Sequence, residues 1–228
     1  MAVLTGAGMS AESAIPTFRG PAGLWRQFRA EDLAAPEAFA RDPKLVWEWY
    51  DWRRCLISNA SPNPGHRALV ALEASVPSFT LITQNVDGLH DLAGSRNVLK
   101  IHGDIWDVRC LGCGVTRVDR RASLPALPPW CAVCGGTLRP GVVWFGEGLP
   151  ADVWGRAEAA ARESEVFLVC GTSAMVYPAA GLAALAKRSG AVVVEVNIEE
   201  SGVSGLADYV VRGAAGDVLP VVCASEKR

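Results

Sequence analysis

Residues 1–13 read Met1-Ala2-Val3-Leu4-Thr5-Gly6-Ala7-Gly8-Met9-Ser10-Ala11-Glu12-Ser13. An apolar run ends in a Gly-Ala-Gly turn, and Ser10-Ala11-Glu12-Ser13 then looks like a helix start. Glycines at such a turn let a backbone approach a phosphate, while a helix N-terminus offers free N–H groups and a positive dipole. A tight strand-to-helix turn with no ligand is the plain alternative. A hydride-transferring dinucleotide enzyme would next show a second strand ending in an acidic residue about 20 residues on. Here that place holds Pro16-Thr17-Phe18-Arg19-Gly20, followed by Trp-rich sequence. A dinucleotide fits the turn, but the usual dehydrogenase layout does not follow it.

Working outward, further strand-like runs fall at Phe79–Thr83, Val98–His102, Val166–Cys170, Ala191–Asn197 and Tyr209–Arg212. Most are continuous Val/Ile/Leu runs rather than alternating ones, as expected of parallel strands covered on both faces. Helix-like stretches lie between them at Pro64–Ser75, Ala151–Glu163 and Pro178–Ser189. This alternation predicts an α/β fold with a doubly wound parallel sheet. Two segments break it: a Trp-rich helical stretch over 25–65, and a short, Pro-rich, Cys-paired stretch over 107–140. Both read as insertions that pack together as a smaller domain. The sheet domain is then 1–24, 66–106 and 141–228.

The 228 residues are 50% hydrophobic and 20% charged, with a formal net charge of −2. That balance excludes a disordered chain and argues against a dedicated nucleic-acid binder, which usually carries a basic excess. No apolar run reaches the ~20 residues of a membrane span. The N-terminus has no basic segment before its apolar stretch, so no secretory signal is read there and a cytoplasmic location is expected.

Without a secretory signal, the seven cysteines do not read as a disulfide framework. Cys110-x2-Cys113 and Cys131-x2-Cys134 are separated by 17 residues, a spacing that suits one tetrahedral Zn²⁺ held by four thiolates. Four thiolates leave no open position for water, so the ion is structural. A redox pair would not need a second copy. A zinc ribbon that binds nucleic acid is the competing use, with Arg117, Arg120 and Arg121 in the loop as modest support.

Several further motifs stand in one order along the chain: GAGMSAESAIPTFRG (residues 6–20), TQNVDGLH (83–90), KIHG (100–103), the paired cysteines, GTS (171–173) and VNIE (196–199). Together they resemble the sirtuin family over nearly the whole chain. Met9 and Ala14 are small departures, standing where Ile and Gly are usual. The resemblance implies transfer of an acyl group from lysine to NAD⁺ with release of nicotinamide, on acylated lysine in proteins or peptides. It implies NAD-binding roles for Gly6, Ala7, Gly8 and Glu12, and for Phe18 and Arg19 on a loop that closes over the site. Gln84, Asn85 and Asp87 would lie at the nicotinamide pocket. Gly171, Thr172 and Ser173 would form a second phosphate- or ribose-facing loop, and Asn197, Glu199 and Ala215 would meet the adenosine end.

The reaction needs a base, and the chain has three histidines. His66 sits at a helix start, where capping is the plain reading, and His90 enters a helix. His102 closes a strand, where ligands bind in such sheets, and an imidazole titrates near neutral pH. The family resemblance favours His102. In VWEWYDWRR (46–54), Tyr50 and Arg53 share a helical face. This Tyr-x-x-Arg resembles the sirtuins that remove succinyl, malonyl and glutaryl groups; a phenol and a guanidinium together suit a distal carboxylate. Ala34 matches a small residue that leaves the acyl pocket roomy. A solvated face formed by Arg53 and Arg54 is the alternative. Val142, Trp144, Phe145, Gly146 and Glu147 resemble the strip on which the substrate peptide pairs. A plain deacetylase and a protein ADP-ribosyltransferase remain alternatives.

Overall fold

The computed structural model describes residues 1–18, 23–24 and 29–224. Arg19 and Gly20, both named above, and the first residues of the 25–65 stretch lie outside the described residues.

The strands β1 (Ala2–Thr5), β2 (Thr80–Thr83), β3 (Val98–Lys100), β7 (Val166–Cys170), β8 (Val192–Asn197) and β9 (Tyr209–Arg212) form one sheet in the order β3-β2-β1-β7-β8-β9. Every pairing in it is parallel. The chain starts in the middle at β1, builds outward through β2 and β3, and later restarts on the other side of β1 at β7. The winding therefore reverses between β1 and β7. In doubly wound sheets a ligand binds at the carboxyl ends of such a pair. Both central strands are buried along nearly their whole length, which is why their apolar runs do not alternate.

Three further strands, β4 (Gly103–Cys110), β5 (Thr116–Val118) and β6 (Leu138–Val142), form an antiparallel sheet in the order β5-β4-β6. The helices before β2 are α1 (Ala30–Leu33), α2 (Pro36–Arg41), α3 (Pro43–Ser58) and α4 (Pro64–Ser75). Asp42 caps α3 by accepting a hydrogen bond from the Leu45 amide at 2.9 Å. The buried face of α3 packs on the antiparallel sheet in one apolar core that joins Phe39, Trp47 and Trp49 to Ile105, Val108 and Leu138. Trp47 is fully buried, and its indole donates to the Leu138 carbonyl at 2.8 Å. Removing such a ring would cost about 3–5 kcal/mol. The two insertions thus share a core, separate from those under the parallel sheet.

The remaining helices are α5 (Leu89–Ala93), α6 (Ala151–Glu163), α7 (Gly181–Arg188) and α8 (Ala215–Val222). No helix among the described residues is long and apolar enough to cross a membrane.

The structure departs from the sequence reading at several ends. The third strand stops at Lys100 rather than His102, because Gly103, at φ +79°, turns the chain into β4. The helix expected from Pro178 begins only at Gly181. The bonds Gly181 N to Pro178 O and Leu182 N to Ala179 O span three residues each, which makes that segment a tighter turn. The helix read from Ser10 is a 3-10 helix over Ala7–Ser13, and Ala14 ends it in the left-handed region at φ +62°. Such a short 3-10 turn carries little dipole, so its contribution to the site is its amides.

Candidate active site

The glycine turn after β1 and the Gly171-Thr172-Ser173 turn after β7 interlock where the winding reverses. Gly8 N donates to Gly171 O at 2.7 Å. A Cβ on Gly8 would lie 2.8 Å from that oxygen, and one on Gly171, itself at φ +58°, would lie 2.4 Å from Met9 N. Backbone touches backbone here, which no side chain permits. Above this floor opens a cavity of about 700 Å³ whose wall includes Gly6, Ala7, Gly8, Thr172, Ser173 and Ala215. Gln84 donates to Thr172 Oγ1 at 3.0 Å, and Asn197 donates to Thr172 O at 2.8 Å, so both fix the second loop. Asn197 and Glu199 line the same end of the cavity, at the close of β8. Glu12 lines it too, but its carboxylate accepts the Gly216 amide at 2.6 Å and holds the start of α8.

His102 is half-buried in the cavity wall just past β3. Its Nδ1 lies 3.1 Å from the Gln84 carbonyl oxygen. A carbonyl only accepts, so Nδ1 carries the proton and Nε2 keeps its lone pair. Burial holds the imidazole below its ordinary range, against the opposing pull of that carbonyl. The ring is therefore a neutral base. Neither other histidine lines the cavity. His66 completes a capping box with Asn63 at the start of α4. His90 lies 3.0 Å from Thr5 Oγ1 beneath the sheet ends. Burial pushes the two down to about 4 and about 3 respectively.

Asn85 lines the cavity beside His102, whereas Asp87 stands behind the wall rather than in it. The buried Asp87 carboxylate accepts from Ser10 Oγ at 2.8 Å and from the Leu89 amide at 2.9 Å. Ser10 Oγ in turn accepts from Asn85 Nδ2 at 3.1 Å. Asp87 thus orients Asn85 through Ser10. Burial pushes the Asp87 carboxyl up, while its two hydrogen bonds and Arg53 pull it down.

The far end of the cavity belongs to α3 and the segment after β6. Tyr50 and Arg53 are 3% and 6% exposed and both line it, so they are not a solvated face. Arg54 is buried in the opposite direction and donates to Ile105 O from Nε at 2.9 Å and from Nη2 at 2.7 Å. The Arg53 guanidinium lies over the Phe18 ring at 4.7 Å and the Trp49 ring at 5.1 Å. Among the described residues it meets no carboxylate within ion-pair distance. Burial raises the Tyr50 phenol to about 12, so it stays protonated. Ala34 lines the pocket and its carbonyl accepts from Phe145 N at 2.9 Å.

The 142–147 strip also lines the cavity, but it is extended only as far as Val142 and then turns. Its amides at Val143, Trp144 and Phe145 are bonded to His102 O, Glu147 Oε2 and Ala34 O. Glu147 is held by Arg139 in a two-pronged pair.

The four cysteine sulfurs come together within 4.8 Å of one another. Cys110 and Cys134 are 3.4 Å apart, and Cys113 and Cys131 are 3.8 Å apart. A tetrahedron with Zn–S bonds of ~2.3 Å has edges of about 3.8 Å, so the donor set and its size both fit one zinc ion. The Gly112 and Cys113 amides point at Cys110 Sγ, and hydrogen bonding, led by Cys113, brings that thiol down to about 6.

Sequence reading gave no site role to Ser10, Trp49 or the Val176-Tyr177-Pro178 segment, all of which serve or line the site. Ser10 had one usable signal: a polar residue in a buried glycine-rich turn.

A parallel sheet wound in this order, a backbone-built cradle at its reversal and a tetrathiolate module beside it define an α/β dinucleotide-binding protein with a structural zinc site. The chain belongs to the Sir2 family, which matches residues 6–178. It is 60% identical over 205 residues to the NAD-dependent protein deacylase of Aquifex aeolicus, covering 90% of this chain and 86% of that protein. It is 54% identical over 226 residues to NAD-dependent protein deacylase 2 of Pyrobaculum aerophilum, covering 99% and 90%. Its fold superimposes on a Sir2 homologue solved as an NAD complex with a TM-score of 0.91 at 49% identity, covering 97% of this chain and 87% of that one.

Proposed function

We propose that this chain is an NAD-dependent protein-lysine deacylase that favours acyl groups ending in a carboxylate, succinyl and malonyl above acetyl. The deacylase part is supported by the Sir2 membership and by relatives of that name. The acyl preference rests on one observation: a buried guanidinium, Arg53, beside a protonated phenol, Tyr50, with no carboxylate within ion-pair distance among the described residues and only the more distant charge of Asp87 opposing it. A buried cation without a close counter-ion is costly, on the order of several kcal/mol, and a carboxylate entering the pocket would lower that cost. Acetyl-lysine brings no such group.

The cradle formed by Gly6, Gly8 and Gly171 has no room for a Cβ and fits a pyrophosphate. NAD⁺, when bound, supplies the ADP-ribose that accepts the acyl group and releases nicotinamide. Around it, His102 Nε2 takes a proton from a ribose hydroxyl while its Nδ1–H stays on Gln84 O. Asn85, held by Ser10 and Asp87, faces the nicotinamide end, and Phe18 beside it excludes water; the cofactor role that the family resemblance gives Arg19 falls outside the described residues. Asn197, Glu199 and Ala215 serve the adenosine end. The same reading keeps the two-domain division of the chain, supported by the core that the insertions share. It also keeps a cytoplasmic location, supported by four thiols that must stay reduced to hold zinc.

One assay tests it: peptides carrying succinyl-, malonyl- or acetyl-lysine are incubated with NAD⁺ and nicotinamide release is followed. A higher kcat/KM for the carboxylate-ended acyls is expected. An enzyme that prefers acetyl-lysine, with ADP-ribose released as the O-acetyl product, is a plain deacetylase. With the ADP-ribose part of the NAD⁺ labelled, label that stays on protein instead marks an ADP-ribosyltransferase.

A further inference from the structure

The Trp144 indole N–H donates to the Tyr50 hydroxyl oxygen at 2.9 Å, across 94 positions of sequence. A phenol has one proton and accepts along its oxygen lone pairs. With the indole occupying the accepting side, the Tyr50 proton is left for another partner, and no acceptor takes it among the described residues. Tyr50 and Arg53 line one cavity, and a carboxylate is an acceptor only. The bond from Trp144 therefore decides which way Tyr50 faces in that exchange: as a donor.

The indole is itself held. Its ring lies against the Arg139 guanidinium, 3.5 Å from ring centroid to Cζ, and against Phe39 at 5.2 Å between centroids. Arg139 bonds both oxygens of Glu147, and it also donates to Val142 O at 3.0 Å. Glu147 then accepts the Trp144 amide at 2.8 Å, which closes the ring of contacts. Arg139 is 5% exposed and its side chain is fully committed, so it is not a second anion site. Glu147, although in the cavity wall, is neutralised by it.

We propose that Trp144 is a positioning residue for acyl selection: clamped by the Arg139–Glu147 pair, it fixes Tyr50 as a hydrogen-bond donor toward a carboxylate held by Arg53. This rests on the acyl preference proposed above and adds a residue to it. A polar or acyclic replacement of the indole would free the phenol to turn and accept from Arg53 instead, which helps no carboxylate.

The test is a double-mutant cycle on the ratio of kcat/KM for a succinyl-lysine peptide to that for the same peptide with acetyl-lysine. Trp144→Phe keeps an aromatic ring over Arg139 while removing the N–H donor and the smaller part of the buried indole. It should lower the ratio by roughly 10- to 100-fold, the range of one hydrogen bond to a charged group, mostly through KM of the succinyl peptide. Tyr50→Phe should lower it comparably, and the double variant should be no worse than the more damaging single one. Multiplying effects in the double variant, or an unchanged ratio in Trp144→Phe, overturn the proposal. A Trp144→Phe protein that does not fold, seen in its unfolding midpoint, leaves the decision to Tyr50→Phe, whose unchanged ratio would mean there is no donated proton to aim. Arg53→Met separates the two levels. If it alters the ratio while Trp144→Phe does not, only the positioning role falls; if it leaves the ratio unchanged, the acyl preference falls with it.

Discussion

The two ends of the cavity are made of different material. At the sheet end the wall is backbone: Gly8 N on Gly171 O, a Thr172 carbonyl held by Asn197, and an α8 amide held by Glu12. At the insert end it is side chain: Tyr50, Arg53, Phe18 and Trp49 from one helix and one loop. A site built of backbone is set by the path of the chain, so a change of side chain alters it only where a Cβ intrudes on it. A side-chain site can be retuned by one residue. Two neighbours on α3 show the same contrast in miniature, since Arg54 is spent on the Ile105 carbonyl and Arg53 is not.

The largest expected effect lies in the module both ends lean on. Structural zinc contributes binding energy on the order of 10 kcal/mol to folding, and Cys110 and Cys131 sit in the same apolar core as Trp47 and Tyr50. Cys110→Ser should lose the metal and unfold the insert end, measured as zinc content and near-ultraviolet circular dichroism. A zinc-free variant with native spectrum and turnover would break the link between metal and pocket.

His102→Ala comes next. It should keep the fold and most NAD⁺ affinity while turnover drops by roughly 10²–10⁴, the span of a positioned acid–base group. Burial lowers the His102 pKa, so the base stays neutral to lower pH than a free imidazole. The acid limb of kcat/KM should therefore fall below pH ~6.5, with activity lost as pH drops through it. Loss of turnover in His90→Ala but not in His102→Ala would move the base to a histidine that does not line the cavity.

Third, Arg53→Met should shift the succinyl-to-acetyl ratio of kcat/KM by about 2–4 kcal/mol, the scale of a desolvated charge pair discounted for partial solvation. Arg54→Met should instead lower thermal stability by about 1–3 kcal/mol through an orphaned Ile105 carbonyl and treat both substrates alike. Equal ratios in the two variants would erase the contrast between the neighbours.

These side-chain expectations also mark what the sequence could reveal. Continuous apolar strands and paired C-x2-C knuckles announce themselves through short-range pattern, and so did the sheet, the metal site and the turn after β1. The Tyr50–Arg53 pair was visible because helical spacing puts both on one face. The Trp144–Tyr50 bond was not, because nothing local joins residues 94 apart. Asp87 was read into the nicotinamide pocket by family resemblance; its bonds to Ser10 and the Leu89 amide, which sequence could not show, tie its carboxylate to the turn after β1. Likewise Gly103 ended β3 early through a positive φ that composition cannot display.

At the backbone end, Gly8→Ala should weaken NAD⁺ binding and stability by about 1–3 kcal/mol, as overpacking does, because its Cβ would press on Gly171 O at 2.8 Å and Cα at 2.9 Å. Isothermal titration with NAD⁺ reads this directly; unaltered affinity would mean the loops can part at little cost. The smallest effect concerns Ala14, which sits at φ +62° with a Cβ that disfavours it. Ala14→Gly should raise the unfolding free energy by about 0.5–1 kcal/mol, the left-handed penalty less the entropy glycine adds to the unfolded chain. A drop in the urea midpoint would show that the residue is not strained.

Where β4 leaves the parallel sheet and β6 returns to it, Gly103 and Gly141 are so close that a Cβ on Gly103 would lie 2.2 Å from Gly141 O. His102 immediately precedes that contact, and its carbonyl accepts from Val143 N on the returning side at 2.9 Å. In mechanical terms the metal-bearing hairpin leaves the sheet domain through a double strap cinched tightest at this point, and the imidazole sits on the buckle. The neck of the hairpin and the core that packs its strands on α3 therefore hold the imidazole from both sides of the module at once.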